Sequence, residues 1–188
     1  MRAMVTARFT FRATGASVTG HIQPADERDL LAWTRWQYRR SDKDRTWDWW
    51  GIYLECKLSA GRYECFAARV GPELHGLMVL DLKGRRVGGL PALIVDYLAT
   101  NPVNRTASHG LKQVGTALMA VAASRSTELG MAGGIWLECL EGAQMFYENL
   151  GMVGHFRRSE EGRVIYTLDA KGVKELLEQI KEKRILKT

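Results

Sequence analysis

The apolar positions change period along this chain, and each change predicts an element. VTARFTFRA (residues 5–13) and SVTGHI (17–22) alternate with period two, which predicts two strands. The spacing then becomes helical over residues 25–40 (DLLAWTRWQYRR). Leu30, Trp33 and Trp36 or Gln37 share a face there, and Asp26 stands at the start. TWDWWGIYLECKL (46–58) predicts a second helix, with Thr46 as its N-cap, Trp47, Trp50, Leu54 and Leu58 inward, and Gly61 beyond its end. RYECFAARV (62–70), HGLMVLDL (75–82) and PALIVDYLAT (91–100) read as strands. Gly71-Pro72 turns the chain between the first two, and the basic stretch KGRRVGG reads as a loop between the second and third.

The stretch 110–151 carries the densest pattern. Leu111, Val114, Leu118, Val121 and Ala122 mark the apolar face of a helix over residues 112–129, stopped by Gly130. IWLECL (135–140) is a short buried strand. Residues 143–150 form a helix with Ala143, Phe146, Tyr147 and Leu150 inward, ended by Gly151. VGHFRR (153–158) and RVIYTL (163–168) are strands joined by a turn, and a helix runs from 169 or 170 to about 185. After the added first strand the order is β-α-α-β-β-β-α-β-α-β-β-α. This is an α/β domain whose mixed sheet has helices on both faces, spanning residues 1–188 as one unit.

Composition narrows this reading. The 188 residues are enough for one sizeable core, and no apolar run approaches a membrane span. Cys56, Cys65 and Cys139 have no metal-ligand spacing, and an odd cysteine count points to a reducing cytoplasm, with no metal expected. The formal net charge of +6 suits an anionic ligand or partner. Residues 1–25 lack acidic side chains and include Arg2, Arg8 and Arg12, as a transit peptide does, but the alternation from Val5 favours a strand.

The glycine-bearing loop before the 112–129 helix and the FYENLG of the next helix resemble the GNAT superfamily of N-acetyltransferases. That family's pattern is a strand ending in V-x-P-x-x-R, then Q/R-x-x-G-x-G/A opening a helix, then a strand, then A-x-x-F/L-Y-E-x-x-G-F. This chain has LATNPVNR at 98–105, LKQVGTAL at 111–118 and AQMFYENLGM at 143–152. The resemblance is close over about residues 90–157 and looser over HIQPADERDL at 21–30. Gly110 stands where Gln or Arg is usual and Gln113 where the middle glycine is usual. Residues 106–109 are extra, and Met152 replaces the closing phenylalanine.

The resemblance implies acetyl transfer from acetyl-CoA to an amine in a cleft between the strands at 91–100 and 135–140. It implies that Leu98, Ala99 and Thr100 meet the thioester and pantetheine, and that Arg105, Lys112, Gln113, Val114, Gly115 and Thr116 hold the phosphates. Helix N-terminal amides favour such anions in any case. Tyr147 becomes the acid for the departing thiolate, with a packed core tyrosine as the other reading. Asp96, a carboxylate within an apolar strand, is the base or a salt-bridge partner, with Glu138 in reserve. His75 and His109 are further groups able to titrate near neutrality. Cys139 reads as buried and inert. The helices at 25–58 shape the acceptor side, where Trp49 and Tyr53, lying off the inward face, are the pocket candidates.

Two other classes stay open. The basic stretches at 35–45, 83–86 and 181–187 suit phosphate contacts, without an RNA-binding motif, so an RNA-linked amine is one possible acceptor. Gln113 in the phosphate loop suits a CoA-binding or non-catalytic GNAT module. No membrane partner is implied, and the chain is expected as a monomer or homodimer.

Overall fold

The computed structural model describes residues 4–87, 89–106, 109–131, 133–159 and 161–187. Among these residues ten strands form one sheet: β1 (Val5–Phe11), β2 (Ser17–Pro24), β3 (Tyr63–Val70), β4 (Glu73–Val87), β5 (Leu90–Thr100), β6 (Leu111–Lys112), β7 (Ile135–Cys139), β8 (Val153–Arg158), β9 (Val164–Leu168) and β10 (Leu186–Lys187). Six helices among the described residues accompany them: α1 (Glu27–Trp33), α2 (Trp49–Leu58), α3 (Val103–Thr106), α4 (Val114–Glu128), α5 (Gln144–Glu148) and α6 (Ala170–Glu182). The strand order is β10-β1-β2-β3-β4-β5-β7-β9-β8, with β6 also pairing β1. Every pairing is antiparallel except β5 with β7.

Two cores cover the two faces. On one, α4 and α6 pack on Phe9, Met78, Leu80, Leu93, Ile135 and Leu137. On the other, α1 and α2 pack on Ala67, Leu77, Val79 and Ala99 through Leu30, Trp36, Trp49 and Tyr53. Helix α4 is buried almost all round rather than along one stripe, because the sheet, α6 and β1 enclose it.

Several expectations need correction. The first helix stops at Trp33 instead of running to residue 40. The Thr34 hydroxyl donates back to Leu31 O, and Trp36 Nε1 donates to Leu74 O, drawing the chain onto the sheet. Its start is as expected, for Asp26 and Asp29 form a reciprocal capping box. Thr46 ends a short 3-10 turn, and Asp48 caps α2 instead. The inward face of α2 is Trp49 and Tyr53, while Leu54 and Leu58 are 53% and 82% exposed. The basic stretch after Leu82 is not a loop: β4 continues through it to Val87. Gly84, at φ +64°, makes this possible, since a Cβ there would lie 2.8 Å from Ala92 O across a bulge. Residue 88 of that stretch lies outside the described residues, as do 107 and 108 of the extra segment. The short strands β6 and β10 and helix α3 were not legible in the sequence.

Candidate functional site

The site begins where β5 and β7 part. They pair in parallel only through Leu93↔Ile135 and Ile94↔Trp136. Beyond Ile94 the edge of β5 that faces β7 has no strand partner among the described residues, while its other edge stays paired to β4 as far as Thr100. A cleft of about 570 Å³ opens there, lined by Leu98, Thr100, Arg105, residues 113–116, the 41–44 loop, the 140–143 loop, Phe146 and Tyr147.

A register shift in β5 decides which side chains look where. Val79 pairs with Tyr97 but Leu80 pairs with Val95, so Asp96 is the extra residue of a bulge. Val95 and Leu98 join the α4-side core, and Tyr97 and Ala99 join the α2-side core. Leu98 and Thr100 therefore face the cleft, and the side chain of Ala99 is buried on the opposite face, which leaves only its main chain toward the cleft. Asp96 is exposed among α2-side neighbours that include Asp81, Glu55, Arg62 and Glu138. Partial desolvation, then the Asp81 and Glu55 carboxylates, raise its pKa above the usual carboxylate value, and Arg62 offsets only part of this. Arg62 is itself held by Asp81 at 2.7 Å. Glu138, reached by the same alternation from Trp136, sits 4.0 Å from Arg163, which pairs more closely with Glu161 at 2.6 Å.

At the other end of the cleft, β6 pairs with the end of β1 (Thr10↔Lys112, Phe11↔Leu111), and Thr10 Oγ1 donates to Gln113 Oε1 at 3.2 Å. Gln113 takes the left-handed conformation at φ 73° and opens α4 without a side-chain cap. The first amides of α4 are thus free of side-chain capping and border the cleft. Gly115 is buried, and a Cβ there would come within 3.0 Å of Phe146 Cζ, so a side chain would crowd the cleft wall. Gly110 is constrained differently, since a Cβ would lie 2.2 Å from Val103 O, where the loop crosses α3.

Tyr147 is 7% exposed, lies between the rings of Phe146 (5.0 Å) and Tyr166 (5.8 Å), and lines the cleft. Burial, with smaller contributions from Cys139 and Asp44, raises its pKa, so it is a neutral phenol across the physiological range. Tyr166 donates to Glu148 Oε1 at 2.8 Å, which fixes the residue following Tyr147. Burial pushes the Cys139 thiol up to about 11, in keeping with an inert cysteine.

Other sequence candidates lie elsewhere or are committed. Arg105 borders the cleft, but both ends of its guanidinium are engaged: Nη1 meets Asp44 Oδ1 (2.9 Å) and Asp42 Oδ1 (3.2 Å), and Nη2 meets Asp44 Oδ2 and Thr100 O (2.9 Å). It ties the 41–46 loop to the end of β5. Lys112 is exposed on β6 and is not part of the cleft wall. Trp49 is fully buried against Trp47 and Tyr97 and belongs to the core, a reversal of the expected face. Tyr53 is 5% exposed and borders a separate hollow with Cys56, Tyr63 and Cys65. His109 is exposed. His75 is buried, and that burial lowers its pKa despite Glu73 3.4 Å away. Because Leu111 N–H already donates to Asn104 Oδ1, His75 Nδ1 donates to the same oxygen. Sequence reasoning missed Arg12, Asp42, Asp44 and Asn104, all of which line the cleft. Among the described residues no group of three or more His, Cys, Asp or Glu is placed to hold a metal ion, and no helix is long and apolar enough to cross a membrane.

No family model matches the chain, and no curated protein matches it. Solved structures do. The GNAT domain of S. lividans PAT superposes with a TM-score of 0.61 over 87% of this chain and 96% of that one, at 19% identity. PaiA N-acetyltransferase from Thermoplasma acidophilum, in complex with coenzyme A, gives 0.55 over 80% of this chain and 98% of that one, at 13% identity. Mycobacterium smegmatis RimJ, in complex with CoA-disulfide, gives 0.54 over 98% and 96%, at 11% identity. The chain has the GNAT fold: a mostly antiparallel mixed sheet flanked by helices, here with an added N-terminal strand and a C-terminal helix.

Proposed function

We propose that this GNAT-fold chain transfers the acetyl group of acetyl-CoA to a primary amine. The observation that carries the reading is the parting of β5 from β7, with the uncapped start of α4 at one end of the resulting cleft and Tyr147 in its wall. The start of α4 suits a diphosphate, and a side chain at Gly115 would press on Phe146 in the cleft wall. The open edge of β5 supplies main-chain partners for an extended pantetheine. The amine enters from the α2 side and loses its proton to Asp96, directly or through water. It attacks the thioester carbon, the C–S bond breaks, and Tyr147 donates a hydrogen bond to the departing sulfur. The thiolate takes up a proton from water and Asp96 returns its own to solvent, so that acetylated amine and free CoA thiol result.

Titration calorimetry with acetyl-CoA tests this reading. The wild-type chain should bind saturably and release free thiol when supplied with a suitable amine. Gly115→Leu should weaken acetyl-CoA binding at least about tenfold while remaining folded, because its side chain displaces Phe146 in the cleft wall at the start of α4. Undiminished affinity in that variant would move the coenzyme elsewhere.

A specific observation favours an RNA-linked amine as one acceptor. Arg35, Arg39, Arg40 and Arg45 are all exposed beside the 41–44 cleft wall, and no guanidinium of the four makes an ion pair among the described residues, although the backbone N–H of Arg39 donates to Asp42 Oδ2. Phosphate contacts through them would make RNA affinity fall steeply as salt rises. An RNA affinity that ignores salt, or that survives replacement of all four arginines, would remove this acceptor from consideration.

A further inference from the structure

The committed state of Arg105 raises a question about charge. A coenzyme diphosphate at the start of α4 calls for a cation, and Arg105 already answers Asp42 and Asp44. Lys112 is not in the cleft wall. Lys43 pairs with Glu141 at 2.8 Å. Among the described residues, the remaining cationic side chain of the cleft wall is Arg12.

Its placement is specific. Arg12 follows the last residue of β1, the added strand. Its N–H donates to Gly110 O at 2.9 Å, so it rides on the loop that leads into α4. Its Nε donates to Asn104 O at 2.6 Å. Asn104 is a rigid anchor: it is 3% exposed, accepts from Leu111 N–H at 2.9 Å and donates to His75 O at 3.0 Å. That tether holds one edge of the guanidinium. Nη1 and Nη2 make no ion pair and no hydrogen bond among the described residues, yet the side chain shares the cleft wall with Gln113, Val114, Gly115 and Thr116. A tethered guanidinium with two uncommitted NH2 groups matches paired phosphate oxygens, and its preorganisation limits the entropy lost on binding.

We propose that Arg12 is the cation that grips the coenzyme diphosphate, delivered by the added strand rather than by the phosphate loop. The proposal rests on the acetyl-CoA reading above. At Gly110 the backbone of α3 fills the space a side chain would need, so that loop position cannot supply the charge, and Arg12, whose N–H meets Gly110 O, supplies it from the end of β1.

The test compares wild type, Arg12→Ala and Arg12→Gln by calorimetry against three ligands. These are acetyl-CoA, acetyl-dephospho-CoA, which lacks the 3′-phosphate, and S-acetylpantetheine, which lacks all phosphates. Gln keeps an NH2 able to donate to Asn104 O, and loses the charge together with both Nη groups. Both variants should bind acetyl-CoA and acetyl-dephospho-CoA about 10- to 100-fold more weakly, and S-acetylpantetheine as wild type does. Wild-type affinity in Arg12→Gln would mean that Arg12 is a tether and no clamp. A deficit that vanishes with acetyl-dephospho-CoA would assign Arg12 to the 3′-phosphate and overturn the diphosphate assignment. If wild type binds none of the three ligands, the acetyl-CoA reading itself fails. If wild type binds and both variants match it, only Arg12 fails.

Discussion

Tyr147→Phe should lower kcat and kcat/KM together by about 10²- to 10³-fold, with acetyl-CoA affinity unchanged. The size follows from the kind of donor Tyr147 is. Burial lifts its pKa above that of a free phenol, while a thiol titrates near ~8.5, so full proton transfer to the thiolate is uphill. On the proposed mechanism the hydroxyl supplies a fixed hydrogen bond to sulfur as charge develops, an interaction felt in the transition state and not in the ground state. Phe keeps the ring contacts with Phe146 and Tyr166, and the hydroxyl makes no hydrogen bond to the described residues, so thermal stability should hold. Steady-state kinetics beside a melting curve separates the outcomes. A fully active Phe variant would mean that water alone stabilises the departing thiolate, and a destabilised one would make the tyrosine structural.

Asp96→Asn should cost about 10²- to 10⁴-fold in kcat/KM and remove the acidic limb of its pH dependence. The carboxylate acts as base only when ionised. With its pKa raised above 3.8 by desolvation and by Asp81 and Glu55, activity should climb with pH through that raised value. Stability runs the other way. Between the unfolded and the raised folded pKa the native state binds the extra proton, so ionising Asp96 costs stability as pH rises through that window. Asn at 96 should therefore be neutral or slightly stabilising at pH 7 while being nearly inactive. Retention of both rate and acidic limb would leave Asp96 as a structural carboxylate and make Glu138 the next candidate.

The legible parts of the chain were those where one segment carries its own signal. FYENLG and LKQVGTAL announced a fold and a cleft, and the strands from Tyr63 to Thr100 followed from apolar runs. The inward face of α2 did not. Trp47, Trp50, Leu54 and Leu58 make one apolar row, and Trp49, Tyr53 and Cys56 make another. Periodicity cannot choose between two rows that both contain tryptophan; Trp49 wins because Tyr97 and Trp47 enclose it. Arg105 was legible as a motif residue but not in its commitments, since Asp42 and Asp44 lie some sixty positions earlier and meet it only in the fold. Arg12 gave no local signal, because an arginine at the end of an alternating strand looks like any solvated charge. The bulge at Asp96 was likewise invisible, as it exists only in the register between two strands.

The outer edge of β1 is closed by two dipeptide strands from distant parts of the chain. β10 covers Thr6 and Ala7, and β6 covers Thr10 and Phe11. β1 thus waits for residues 186–187 before its edge is complete, a contact between segments far apart in sequence whose loop closure comes late in folding. Such a seam is short and has little stability of its own, so it belongs among the elements that open before the rest. Since β1 also borders the α4 end of the cleft, any ligand bound there favours the closed seam by mass action, in proportion to the logarithm of its concentration over its dissociation constant. On the acetyl-CoA reading, coenzyme supply would then set how often β10 and β6 leave β1, and amide exchange along β1 would report it.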